Sequence, residues 1–145
     1  MDMTLNRGED GFLSDALAGI LGRLRGPRYP RFPGGAEEAL QSEADGFVKR
    51  LAQHLRYSEE NLFPALRTAG PGSAGDLDVL EKDHRLLGLY ARNLATQIKG
   101  QDREGANGVA RTFLAVLLEH LDREMSGMRR CRQFMRGDGR CSSES

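Results

Sequence analysis

The chain has no excess of charge of either sign: 21 lysines and arginines stand against 21 aspartates and glutamates in 145 residues. A nucleic-acid surface or a strongly acidic partner therefore has no global electrostatic support. Cysteine is scarce, with Cys131 and Cys141 both near the C-terminus, where one bridge would close only a short loop. A disulfide framework is not indicated, and a reducing cytoplasm is the expected compartment. Long apolar runs are missing too. The strongest, FLSDALAGILG from Phe12 to Gly22, follows acidic residues, contains Asp15 and runs into Arg23. It is too short and too charged for a membrane span or an export signal. No stretch of useful length alternates apolar and polar residues as a half-buried strand does.

What is present is helical periodicity, broken by glycine and proline. Four amphipathic segments run from about Glu9 to Arg25, Ala36 to Arg67, Asp76 to Lys99 and Ala106 to Met135. Between the first two, GPRYPRFPGG at 26–35 places Pro27, Pro30 and Pro33 in an extended connector, whose spacing would also suit a partner groove. Gly70 to Gly75 spells GxGxxG, but a helical pattern precedes it and no βαβ unit surrounds it, so a dinucleotide site is discarded. The length suits one domain with a real core. The sequence predicts an all-α fold, an antiparallel up-down four-helix bundle over residues 1–136, with a disordered tail at 137–145.

The seams of these helices carry the chemistry. Leu40, Ala44, Phe47 and Leu51 set a rhythm whose next beats are His54, Ser58 and Leu62. The third segment keeps Leu77, Leu80, His84, Leu87, Ala91, Leu94 and Ile98 in register, and the fourth Ala110, Phe113, Leu117, His120, Glu124 and Met128. The chain has three histidines, and each lies on the seam of a different helix. His84 and His120 stand equally far on either side of Asp102 in the third connection, so antiparallel neighbours bring them to one level. His54 falls near that level.

Glu124 follows His120 by four residues, about 40° around the helix, and enters the same layer. Burying a carboxylate is costly, and no lysine or arginine shares these inner seams, so a central cation would resolve the conflict. Imidazoles with a carboxylate suit iron, zinc or manganese. The plainer reading stays open: satisfied core histidines, with Glu124 protonated and hydrogen-bonded to His120. Glu59 and Glu60 point off the seam and read as a solvated face. Cys131 reads as a packed thiol, and Arg129, Arg130 and Arg132 as cations complementing a helix C-terminus.

HLRYSEENLFPAL, EKDHRLL and EHLDREM, in that order on successive helices, resemble the hemerythrin-like, or HHE cation-binding, domain family. His54 keeps the family's offset to Leu62-Phe63-Pro64, Asp83-His84 matches its acid-histidine pair, and His120 with Glu124 matches its His-x-x-x-Glu. The resemblance implies a four-helix bundle around two carboxylate-bridged non-haem irons, used for dioxygen binding, dioxygen or nitric-oxide sensing, or iron handling. Two departures stand out. No histidine precedes His54, where a first-helix ligand is expected, and Ser58 occupies the place of a bridging glutamate.

The expected metal ligands are therefore His54, His84, His120 and Glu124. Ser58, Glu59, Tyr57, Asp83 and Asp10 are candidates for further ligation or for support around the ligands, with Asp15 a second candidate from the first helix. The expected cofactor is iron, one or two ions, with zinc, manganese or a metal-free state as alternatives. The alternative function is a metal-free bundle acting as an interaction or regulatory module. No separate acid-base pair or nucleophile set supports an enzyme.

Overall fold

The computed structural model describes residues 6–25, 35–70 and 74–144, with side chains described for 11–25, 38–70 and 75–134. The proline connector lies almost wholly outside the described residues. Four helices follow in order: α1 (Asn6–Arg25), α2 (Gly35–Thr68), α3 (Ala74–Lys99) and α4 (Arg103–Glu144). No strand occurs among the described residues.

Punctuation fixes the helix ends. Asp102 caps α4, its Oδ1 accepting from the Gly105 backbone N–H at 2.9 Å, which satisfies one of the donors that a helix start leaves unpaired. Gly70 ends α2 at φ 105°, a left-handed conformation that glycine adopts without a Cβ clash. Pro64 lies inside α2 without stopping it. The Thr68 hydroxyl caps the far side of that turn by donating to the Pro64 carbonyl at 2.9 Å.

α4 runs past Met135, where the sequence reading ends it, because Gly137 and Gly139 weaken a helix without forbidding it and no proline follows. This overturns one expectation. Arg129, Arg130 and Arg132 lie inside α4 rather than at its end, and Arg130 instead pairs with Asp76 at the start of α3.

Antiparallel packing is visible in the cross-helix pairs. Arg23 meets Glu43 at 2.7 Å and the Arg50 guanidinium sits 4.0 Å from the Phe12 ring centroid, so α1 and α2 run in opposite senses. Asp83 with Arg123 and Asp76 with Arg130 do the same for α3 and α4. Each helix packs on its chain neighbours, and α1 closes the ring against α4.

Every residue assigned to the seams of α2, α3 and α4 is buried. The apolar run of α1 supplies Leu13, Leu17, Ile20, Leu21 and Leu24 to the same interior, and each fully buried leucine contributes about 1.5–3 kcal/mol. No helix among the described residues is long and apolar enough to cross a membrane.

The core is not continuous. A large cluster built from all four helices centres on Phe113, which meets Phe47 edge-on at 5.6 Å and stacks on Tyr90 at 5.8 Å. A smaller one joins Leu62, Phe63, Leu66, Leu77, Leu80, Met128 and Cys131 from α2, α3 and α4. Where the two meet on these three helices lie the buried polar residues His54, Ser58, Asp83, His84, His120 and Glu124.

Candidate metal centre

The 3.6-residue repeat turns His54 and Ser58 of α2, His84 of α3, and His120 and Glu124 of α4 to the interior. The Glu124 carboxylate, wholly buried, is the hub. Its Oε1 lies against His120 Nε2 and 3.7 Å from His84 Nε2. Its Oε2 accepts from the Ser58 hydroxyl at 3.0 Å, and His54 Nε2 stands 3.3 Å from Oε1 and 3.2 Å from Oε2. Three imidazoles from three helices thus converge on one carboxylate.

Burial alone would raise the Glu124 pKa, but the contacts with His120, His54 and His84 outweigh it and hold the carboxyl well below its ordinary range. The layer thus favours positive charge, or a donor that can share it, beside this carboxylate. His84 Nε2 and His120 Nε2 are both buried without a hydrogen bond of good geometry. Together with Glu124 they offer one ligand atom each within 4.8 Å of one another. Two unsatisfied imidazole nitrogens beside an ionised carboxylate fit a borderline transition-metal cation. His54 joins the group through the Glu124 carboxylate.

The far nitrogens of two rings are also engaged. His120 Nδ1 meets Asp83 Oδ2 at 3.0 Å, and His84 Nδ1 meets Glu59 Oε1 at 3.2 Å. Asp83 is buried, but the Glu59 side chain is 53% exposed. Glu59 is therefore not the purely solvated residue its position off the seam suggests: that same position sets it on the flank of α2 facing α3, where it reaches His84 from outside. Glu60 is exposed. Tyr57 is half-buried on the opposite flank of α2.

From α1, Asp15 is exposed, which removes it as a ligand because its helix turns the Leu13 and Leu17 face inward instead. The side chain of Asp10 lies outside the described residues. Ser58 carries a hydroxyl where a bridging carboxylate was sought, and its hydrogen bond goes to Glu124.

Two partners of the site were missed in the sequence. Arg123 donates from Nη1 to Asp83 Oδ1 at 3.0 Å and Oδ2 at 2.8 Å. The ring of Phe63 lies 4.7 Å from that of His84, giving the LFP segment a packing role beside the site. Arg123 directly precedes Glu124 and had a signal only in that adjacency, since it lies off the inner seam.

Residues 15–129 match the hemerythrin HHE cation binding domain. Comparison with curated proteins and with solved structures gives no significant match. The family match reaches into all four helices and takes in the whole buried layer. The chain belongs to the hemerythrin HHE cation-binding domain family.

Proposed function

We propose that this protein binds a single transition-metal ion, iron, through His84, His120 and Glu124, with His54 completing the donor set, and uses it in dioxygen or nitric-oxide sensing, redox sensing or iron handling. The observation that carries the reading is the pair of buried Nε2 atoms of His84 and His120, neither in a well-formed hydrogen bond, that cluster with the buried Glu124 carboxylate. Bound ferrous iron with an open position would supply affinity for a diatomic ligand. The chain's own residues set what that ion meets: a buried layer between apolar clusters, one carboxylate, and imidazoles oriented by Asp83 and Glu59.

One ion suits the charge present. Glu124 is a single buried carboxylate facing three imidazoles, Asp83 is already engaged by His120 and Arg123, and Ser58 adds no charge. A second cation would face uncompensated repulsion. Zinc and manganese satisfy the same donors, so metal selectivity rests on supply as well as on geometry. Absorption spectra of the ferrous protein before and after exposure to air or nitric oxide test the ligand-binding reading. A charge-transfer band is expected in at least one state, and none in either would sink it.

A second reading is favoured by Ser58: a metal-free bundle serving as an interaction or regulatory module. The same Glu124 contacts that suit a cation also let the histidines compensate the carboxylate unaided. Replacing His84 and His120 together by leucine separates the two. A more stable fold with its cellular role intact would favour the metal-free module.

A further inference from the structure

We infer that Asp83 and Arg123 form a two-residue brace that fixes the His120 imidazole, making both positioning residues for the ion. This rests on the proposal that His120 is a ligand. Asp83 lies next to His84 in the chain, yet its carboxylate crosses to α4 and takes His120 Nδ1 at 3.0 Å. Arg123, one turn beyond His120 on α4, closes the triangle by donating Nη1 to both Asp83 oxygens. The guanidinium stays partly in solvent, with its side chain 43% exposed, while Asp83 is 8% exposed.

Stability does not account for this arrangement, because an ion pair with one partner in solvent contributes little. Orientation does. With Nδ1–H donated to Asp83, Nε2 is the nitrogen left to face Glu124 and His84, where an ion would take its lone pair in place of a proton. Carboxylate partners of ligand imidazoles act in this way at metal sites generally. Arg123 in turn neutralises Asp83 and fixes its rotamer, so the acceptor is locked before any ion arrives.

His84 has no equivalent. Its Nδ1 partner, Glu59, is half-exposed and lines an open pocket between α2 and α3 with Phe63, Arg67, Glu81 and Arg85. The two imidazoles are thus unequal: His120 is clamped by a buried carboxylate, and His84 is held by a solvent-facing one.

Cobalt(II) titration of the full chain tests the brace, using wild type, Asp83→Ala, Arg123→Met and Arg123→Lys. Asp83→Ala is expected to weaken cobalt binding about 10–100-fold and to shift the cobalt d–d absorption. Arg123→Met moves both in the same direction by less, and Arg123→Lys recovers part of the loss. In the zinc-loaded protein, a slowly exchanging imidazole Nδ1–H proton resonance is expected in wild type and absent from Asp83→Ala.

If wild type binds cobalt while Asp83→Ala and Arg123→Met keep its affinity and spectrum, the brace is overturned and the reading of His120 survives. If wild type binds no cobalt, both are overturned. Should Asp83→Ala fail to fold, the surface-lying Arg123→Met decides alone.

Discussion

The Ser58 hydroxyl donates to Glu124 Oε2 at 3.0 Å, with both side chains fully buried, so a neutral group from α2 faces the carboxylate from α4. A second carboxylate in that place would need a second cation between the two. The hydroxyl instead completes the hydrogen bonding of one anion, which ties the residue at this position to the number of ions the layer holds.

Removing that hydroxyl leaves a buried anion one donor short. Ser58→Ala is expected to lower the stability of metal-free protein by about 1–3 kcal/mol, read from urea unfolding. Ser58→Glu is expected to destabilise the metal-free fold further and to recover on metal addition with more than one equivalent bound. A Ser58→Glu protein that is stable without metal would contradict the assignment of this position.

Glu124 carries a pH dependence of the metal-free fold. Burial raises its pKa, but contacts with His120, His54 and His84 prevail and hold it well below the ordinary value of 4.5. A group with a depressed folded pKa adds stability that is present above its unfolded pKa and lost as pH falls through the folded one. The urea midpoint of chelator-treated protein is therefore expected to drop as pH is taken below that ordinary value. Glu124→Gln should flatten this limb, and identical profiles for the two proteins would refute the assignment.

Much of this site was legible from spacing, and the reason is geometric. His54, Ser58, His84, His120 and Glu124 each sit on an apolar repeat, and a repeat reports which way a side chain faces. The common level of His84 and His120 followed from equal distances to one turn, and their rings lie 4.9 Å apart. The Asp83–His120 and Glu59–His84 contacts were not legible. Both carboxylates are off the seam, and whether an off-seam residue meets solvent or the next helix depends on how neighbouring helices are rotated about their axes. That rotation is set by packing between helices, which a single helix's periodicity does not contain. α4 also continues beyond Met135, where the apolar repeat that marks it in the sequence ends.

Cys131 is buried against the smaller apolar cluster, and burial pushes its thiol up despite the nearby charge of Arg130. In a Cys141→Ser background, iodoacetamide at neutral pH is expected to modify native Cys131 far more slowly than the urea-unfolded chain. Equal rates would show that the cluster does not protect it.

Gly127 offers a test of α4 packing apart from the polar layer. A Cβ there would meet Leu66 Cδ2 at 3.6 Å and Cδ1 at 3.7 Å, ordinary contact distances. Gly127→Ala is expected to stabilise the protein by about 0.5–1 kcal/mol through helix propensity and filled space. A lowered melting temperature would show that α2 and α4 pack more tightly here than these distances indicate.

The most direct test of the central claim is elemental analysis of protein purified without chelator from iron-supplemented and zinc-supplemented cultures. The account predicts about one equivalent of transition metal per chain, lost in the His84→Leu/His120→Leu double variant. Less than about a tenth of an equivalent of any transition metal in the wild type would contradict it.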